Sequence, residues 1–397
     1  MDWRTPRKMD VPDYRRECFM RMAKKFGLGC GILLLLLVAA GVSMWFLMPG
    51  PPGITVDDPG EGGIRTTLND RPANFFPGRG NGPRPAILML GGSEGGLHEG
   101  HNAMARRLAA QGFAVIYPGY YRTSDDTKSF DMVPLETFDT AIAYMQARDD
   151  VDASRIGAMG VSKGAEGVLL YASRNPAIKA VVAIVPSNVV WQGFDWESTD
   201  TSRFHSSWSV DGKAVPYARY EQLEWYEWFT GEGIGTMYSD SLDAVREDSS
   251  AAIAVEAISG PVLLLCGKAD ALWPSCRMSR ELVARAQSAG KTNIEIVSYD
   301  DGGHMIYGRP RGPGEADIDQ LDQMGGTAEG NNDARKDVLK RIDVFFADSL
   351  GGATRSSAFR KATRRAAMFT TIHRSFANGV PEDPVEASIC APVRIRR

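Results

Sequence analysis

The sequence predicts an α/β domain in which a mostly parallel β-sheet is covered by helices. Three observations predict this fold class: short apolar runs recur from residue 85 onward, amphipathic helical patterns alternate with them, and turn residues separate the two. Near-continuous apolar strands alternating with helices are what a parallel sheet buried on both faces requires. The 397 residues are 43% hydrophobic and 24% charged, so a sizeable core can be buried.

The alternation places six strands and four helices within one domain at residues 85–350. The predicted strands are 86–90, 113–117, 155–159, 180–184, 262–265 and 294–299, and the predicted helices are 99–111, 135–148, 163–173 and 276–289. An insertion at about 188–257 interrupts this rhythm and holds five of the eight tryptophans. We expect the insertion either to form a cap with an apolar pocket or only to pack against the sheet.

A membrane anchor is predicted before this domain. Residues 26–48 carry no charge, and 23 helical residues span about 34 Å, enough to cross a hydrocarbon core of about 30 Å. Residues 1–25 hold eight Lys or Arg, and the next basic residue is Arg65. This asymmetry predicts a single-pass membrane protein with a cytoplasmic N-terminus and the large domain on the outer side. A signal peptide cleaved after Ala40 stays open as the alternative.

The segments that flank the α/β domain lack its pattern. Residues 49–84 begin with Pro and Gly and are predicted to form a linker that could include the first strands. Residues 351–397 carry nine Lys or Arg against three Asp or Glu and are predicted to be a disordered, solvated basic tail. Binding of that tail to an anionic surface is the alternative.

Charge and cysteine content exclude several classes of function. A formal net charge of −4 gives no indication of the basic surface with which proteins bind nucleic acid. The five cysteines include no CxxC pair and no Cys/His cluster with zinc-ligand spacing, so we predict no metal site, no cofactor and no disulfide framework. A single bridge between Cys266 and Cys276 stays open if the domain faces an oxidising compartment.

The motif Gly160-Val161-Ser162-Lys163-Gly164 indicates a nucleophilic serine. It follows the strand predicted at 155–159 and opens the helix predicted at 163–173, which is the context of a nucleophile elbow in the α/β-hydrolase fold. Side chains at positions 160 and 164 would collide with neighbouring backbone in so sharp a turn. The helix begins under Ser162, where its dipole favours developing negative charge.

A serine nucleophile needs a base and an acid that orients the base. Asp270 follows the strand at 262–265, and His304 follows the strand at 294–299, in the chain order expected for this fold. Both lie at carboxyl ends of strands, where sites gather in open α/β sheets. We therefore predict Ser162, Asp270 and His304 as a catalytic triad.

Two backbone N–H groups should bind the oxyanion. We assign one to Lys163, which follows the nucleophile, and the other to Ser93, within the glycine-rich loop 91–96. Gly92, Trp191 and Trp273 are candidate substrate contacts. The loop lacks the phosphate-binding patterns GxxxxGK[ST] and GxGxxG.

For other polar residues near these positions, roles outside catalysis are expected or stay open. We expect His98 and His101 to be solvated loop residues, with substrate contact as the alternative. Asp300 and Asp301 are expected in a solvated turn, too close to His304 to orient it. For the side chains of Lys163 and Glu166, a structural or solvated role and substrate contact stay equally open.

Seven segments give the chain a resemblance to the acyl-CoA thioester hydrolase and bile acid-CoA:amino acid N-acyltransferase (BAAT) C-terminal domain family. They are GGSEGGL (91–97), RIGAMGVSKGAEGVLLYAS (155–173), IKAVVAIVPSNVVWQGF (178–194), SWSVDGKAVPYA (207–218), GPVLLLCGKADALWPS (260–275), YDDGGHMI (299–306) and GGTAEGNNDARKDVLKRIDVFF (325–346). The resemblance implies an acyl-enzyme mechanism on a thioester or ester, with Ser162, Asp270 and His304 matching the family's triad. The acyltransferases of this family use cysteine, so Ser162 favours hydrolysis.

The expected function is therefore a serine hydrolase of acyl thioesters or esters, similar to acyl-CoA thioesterases. A carboxylesterase, a serine peptidase of the same fold or an acyltransferase are alternatives within the enzymes. A membrane-anchored binding module without catalysis is the alternative outside them.

Overall fold

The computed structural model describes most of the α/β domain. The described residues are 53–124, 128–195, 198, 201–221, 233–245 and 250–351, with 21, 25, 31, 35–38 and 41 in the N-terminal unit. Chain contacts divide the protein into Met1–Gly53 and Ile54–Arg397. Most of the predicted anchor 26–48 and of the basic tail lies outside the described residues. Among those described, no helix is both long and apolar enough to span a bilayer.

Thirteen strands and six α-helices make up the described part of the second unit. The strands are β1 (Ile64–Leu68), β2 (Arg71–Phe76), β3 (Arg84–Leu90), β4 (Ala114–Pro118), β5 (Ser129–Phe130), β6 (Val133–Pro134), β7 (Val151–Val161), β8 (Ile178–Ile184), β9 (Phe194–Asp195), β10 (Trp208–Val210), β11 (Lys213–Ala214), β12 (Val262–Gly267) and β13 (Ile294–Tyr299). The helices are α1 (Glu99–Ala110), α2 (Glu136–Gln146), α3 (Lys163–Ala172), α4 (Gly233–Ala244), α5 (Ser275–Ser288) and α6 (Ala328–Leu350). All six predicted strands and four predicted helices are confirmed.

The main sheet has eight strands in the order β1-β2-β4-β3-β7-β8-β12-β13. All neighbours from β4 to β13 pair in parallel, whereas β2 is antiparallel to both β1 and β4. The strand order reverses between β3 and β7, because the connection after β3 leads to one side of the sheet and the connection after β7 leads to the other. This is an α/β-hydrolase arrangement, and it confirms the predicted fold class. The sheet begins earlier than residue 85, because β1 and β2 arise within 49–84.

Both faces of the sheet are buried, as the apolar strands require. One core includes side chains of α2, α3 and α5, such as Phe138, Leu169 and Leu282. The other includes Leu108 of α1 and Phe346 of α6. Parallel sheets covered on both sides expose the carboxyl ends of their strands at one edge, which is where the site residues gather.

The insertion forms β-strand pairs with the segment between β4 and α2. Strand β9 pairs with β5, and β10 pairs in parallel with β6, while β11 adds to the outer side of β10. A third hydrophobic cluster joins Trp191, Tyr220 and Tyr238 of the insertion to Trp273, which lies between β12 and α5. The described part of the insertion is therefore a packed layer over the site edge of the sheet.

Candidate active site

Ser162 lies at a strained turn between β7 and α3. Its backbone has φ +55° and ψ −122°, a region that non-glycine residues adopt rarely and mostly where function requires it. A Cβ on Gly160 would lie 2.2 Å from the carbonyl oxygen of Gly164, and one on Gly164 would lie 2.1 Å from that of Gly91. Both glycines of the motif are therefore required by close backbone contacts, and the turn matches a nucleophile elbow.

The structure brings the three predicted triad side chains together. His304 Nε2 lies 3.0 Å from Ser162 Oγ, and His304 Nδ1 lies 3.1 Å and 3.0 Å from the two carboxylate oxygens of Asp270. Ser162 is 8% exposed and His304 6%. This arrangement suits proton transfer from the hydroxyl to the imidazole, because the carboxylate holds Nδ1 as the protonated nitrogen.

A network of hydrogen bonds fixes the orientation of Asp270. Its Oδ1 accepts from the backbone N–H groups of Leu272 (3.1 Å) and Trp273 (3.3 Å), and its Oδ2 accepts from Ser275 Oγ (2.6 Å). Ser275 was not predicted from the sequence. The signal that could have found it is a hydroxyl residue at the start of a predicted helix, five positions after Asp270. The side chain of Asp270 is 1% exposed, so these donors supply the hydrogen bonds that water cannot.

A disulfide joins Cys266 in β12 to Cys276 in α5 and closes the loop that carries Asp270. The sequence left this bridge open on spacing alone. Since a bridge of this kind restricts the chain between its ends, it limits the movement of Asp270 relative to the strand.

His304 is held by packing between two loops. Its backbone N–H donates to the carbonyl of Met324 (3.1 Å), and a Cβ on Gly303 would lie 2.0 Å from the Gly325 carbonyl oxygen. The edge of the Trp273 ring faces the imidazole, with ring centroids 5.7 Å apart. Asp300 and Asp301 lie at an exposed turn beyond this loop, as predicted.

The glycine-rich loop lies directly beside Ser162. A Cβ on Gly92 would lie 3.4 Å from Ser162 Cβ, so the loop backbone reaches the nucleophile. The predicted donor Ser93 is in a turn closed by a hydrogen bond from Gly95 N–H to the Gly92 carbonyl (3.3 Å). Lys163 is the first residue of α3, where a backbone N–H has no partner within the helix. Lys163 therefore directly follows the nucleophile, and Ser93 directly follows the glycine that reaches it.

Glu94 and His101 form an ion pair within this loop region. His101 Nε2 lies 2.7 Å from Glu94 Oε1, which also accepts from the Gly92 N–H (2.9 Å), and His101 Nδ1 lies 3.2 Å from the Tyr307 hydroxyl. Burial would raise the pKa of the Glu94 carboxyl, but the hydrogen bond and charge of His101 outweigh it and lower the pKa to about 2. The expectation that His101 is a solvated loop residue is wrong, because α1 buries its ring against Tyr307.

Lys163 and Glu166 are buried, so a solvated role for these side chains is also excluded. Their side chains are 1% and 0% exposed, and Lys163 Nζ lies 2.6 Å from Glu166 Oε2. Burial lowers the pKa of Lys163 and raises that of Glu166, while their mutual attraction opposes both changes. Helical periodicity alone could not reveal this, because the insertion covers a helix face that would otherwise meet solvent.

A cavity of about 390 Å³ opens beside Asp270, the acid of the triad. It is lined by Gly235, Thr236, Ser239, Asp270, Ala271, Trp273 and Pro274. Of the two predicted tryptophan contacts, Trp273 lines this cavity, whereas Trp191 is buried behind it and stacks on Tyr220. The volume lies within the range of about 300–1,000 Å³ typical of small-molecule sites.

Metal ligands do not cluster in the described part of the chain. No group of three or more His, Cys, Asp or Glu side chains there is placed to hold a metal ion. The chemistry that the site itself offers is that of a hydroxyl, an imidazole and a carboxylate in hydrogen-bond contact.

Comparisons with known proteins identify the family of this chain. The family described as BAAT / Acyl-CoA thioester hydrolase C terminal matches residues 133–352. Acyl-coenzyme A thioesterase 5 of Mus musculus is 30% identical over 322 residues, covering 79% of this chain and 69% of its own length. Acyl-coenzyme A thioesterase 1 of Homo sapiens is 27% identical over 317 residues, covering 76% and 67%.

Among solved structures, a putative dienelactone hydrolase from Klebsiella pneumoniae aligns with a TM-score of 0.46 and 22% identity, covering 72% of this chain and 98% of its own. The family match spans more than half of the chain and includes Ser162, Asp270 and His304. The chain therefore belongs to the BAAT / acyl-CoA thioester hydrolase C-terminal family and is a hydrolase.

Proposed function

We propose that this protein hydrolyses acyl thioesters through an acyl-enzyme formed on Ser162, with an acyl-CoA thioester as the substrate. The observation that carries the proposal is the continuous contact from Ser162 Oγ to His304 Nε2 and from His304 Nδ1 to Asp270. The names of the relatives support the thioester class.

In the acylation step, Ser162 Oγ attacks the carbonyl carbon while His304 Nε2 takes the hydroxyl proton. The backbone N–H groups of Lys163 and Ser93 bind the negative oxygen of the tetrahedral intermediate. When the carbon–sulfur bond breaks, His304 gives its proton to the departing thiolate, and the acyl group remains on the serine as an ester.

Deacylation uses the same groups. A water molecule attacks the acyl carbon, and His304 takes one of its protons and returns it to Ser162 Oγ as the serine ester breaks. The products are a thiol and a carboxylic acid. A serine oxygen ester suits attack by water better than by an amine, which favours hydrolysis over acyl transfer.

A carboxylesterase is the second candidate, and the disulfide favours it. Disulfides persist mainly in oxidising compartments, whereas CoA thioesters are normally cytosolic. The charge asymmetry before the apolar run 26–48 agrees with a domain on the outer side of a membrane. We propose this outer location together with the esterase activity. Protease treatment of intact and of opened cells would test it: an outer domain is cleaved in both, whereas a cytosolic domain is cleaved only in opened cells.

Two measurements test the proposed function. A fluorophosphonate probe should label the wild-type protein but not Ser162→Ala, and a panel of acyl-CoA thioesters and p-nitrophenyl esters should identify the substrate class. Faster turnover of the thioesters supports the thioesterase, and turnover of oxygen esters alone supports the esterase. Absence of labelling together with absence of turnover would reject both enzymes.

A further inference from the structure

The buried ion pair between Lys163 and Glu166 has no part in the proposed reaction. Both side chains are essentially inaccessible to solvent, at 1% and 0% exposure, and lie on the first turn of the helix that follows Ser162. Removing two charges from water costs more free energy than an apolar pair of the same size would. Stability alone therefore does not explain why this pair lies here.

The pair links the helix of the nucleophile to the insertion. Lys163 Nζ donates to Ser207 Oγ (2.8 Å), while Glu166 Oε1 accepts from the backbone N–H of Trp191 (3.1 Å) and from Trp208 Nε1 (2.9 Å). Three polar groups of the insertion thus bind to one turn of α3. The position of the insertion relative to Ser162 is defined by these bonds.

From Trp191 a row of aromatic rings leads to the cavity and to the base. Ring centroids lie 5.0 Å apart for Trp191 and Tyr238, 5.3 Å for Tyr238 and Trp273, and 5.7 Å for Trp273 and His304. Tyr238 belongs to α4, which also supplies cavity-lining residues. Because close-packed rings have little free space between them, a shift of Trp191 displaces α4.

We propose that Glu166, paired with Lys163, is a positioning residue that determines acyl-chain specificity by holding Trp191 and, through Tyr238, the α4 wall of the cavity. This inference rests on the proposed function, since it assumes that the cavity receives the acyl group. The side chain of Glu166 does not line the cavity, and its hydrogen bonds go to Lys163, Trp191 and Trp208 rather than to a triad side chain.

Glu166→Gln tests the proposal. In the glutamine the oxygen can keep accepting from Trp191 and Trp208, and the NH₂ group then faces Lys163 Nζ, so the charged bond to Lys163 is lost and two donors oppose each other. We expect the ratio of kcat/KM for a dodecanoyl ester to that for a butanoyl ester to fall by at least about tenfold. The fluorophosphonate labelling rate should stay within about threefold, because a small probe does not fill the cavity.

Asp333→Asn is the matched control. Asp333 pairs with Lys336 at the same i,i+3 spacing, but on α6 with both side chains more than half exposed, so the ratio should not change. If Glu166→Gln does not fold, Trp208→Phe removes one donor to Glu166 while keeping an aromatic ring, and a fall of about threefold is expected.

An unchanged ratio in a folded variant overturns the proposal. So does an equal fall in labelling and in both esters, since that would indicate damage to the nucleophile rather than to the cavity. Failure of the proposed function is distinguishable, because then the wild-type protein itself is neither labelled nor active.

Discussion

Replacing Asp270 by asparagine should invert the tautomer of His304 without dismantling the loop. Two backbone N–H groups, of Leu272 and Trp273, point at Oδ1. The asparagine oxygen must keep accepting from them, so its NH₂ group occupies the position of Oδ2 and faces His304 Nδ1. That nitrogen then becomes an acceptor, the proton moves to Nε2, and Nε2 can no longer accept the proton of Ser162.

The size of the effect follows from that inversion. In triads of this kind an Asp to Asn change lowers kcat about 10⁴-fold, which corresponds to about 5.4 kcal/mol in the activation barrier. The side chain of Asp270 is 1% exposed, so solvent cannot restore the tautomer. We expect a loss between about 10³-fold and 10⁴-fold.

The assay is hydrolysis of a p-nitrophenyl ester together with the rate of fluorophosphonate labelling. Ser275→Ala is the matched control, because it removes only the 2.6 Å hydrogen bond to Oδ2 and should cost no more than about tenfold. If Asp270→Asn retains activity within tenfold of the wild type, another group orients His304 and the reasoning is refuted.

Three further predictions concern stability. Changing Cys266 and Cys276 to serine should lower the unfolding free energy by roughly 2–3 kcal/mol, and an unchanged urea midpoint would contradict this. Gly164→Ala should cost at least about 1–3 kcal/mol in the same assay, whereas Gly100→Ala, where a Cβ meets no atom within 4 Å, should cost nothing; equal effects would refute the contact argument. The pKa of Glu94 is lowered from 4.5 to about 2, so its stabilisation is complete above pH 4.5 and disappears as the pH falls towards 2. The difference in melting temperature from Glu94→Gln should shrink over that range, and a constant difference would argue against it.

The central elements were predictable because their signals are local. Short apolar runs bounded by turn residues, such as Val262–Gly267, indicate buried strands. The glycines two positions before and after Ser162 are required by the elbow itself. Chain order then placed Asp270 and His304 at neighbouring strand ends. The triad residues could thus be named from sequence, and their distances agree with that assignment.

The features that the sequence left open or that sequence reasoning missed depend on distant partners. Strand β1 is largely exposed and becomes part of the sheet only by pairing with β2. Glu94 pairs with His101 from another element, and Glu166 is buried only because the insertion lies over it. A single sequence carries no signal for such contacts, because predicting them requires knowing which elements pack against each other in the fold.

The pairing of β9 with β5 and of β10 with β6 has a consequence for engineering the enzyme. The layer over the site is built from two separate stretches of chain, one of which, around 129–134, precedes the nucleophile by about thirty positions. A chimera that transplants only the tryptophan-rich stretch from a relative would leave its edge strands without their native partners. Chimeras that receive both stretches from the same relative should fold and should show the substrate preference of that relative.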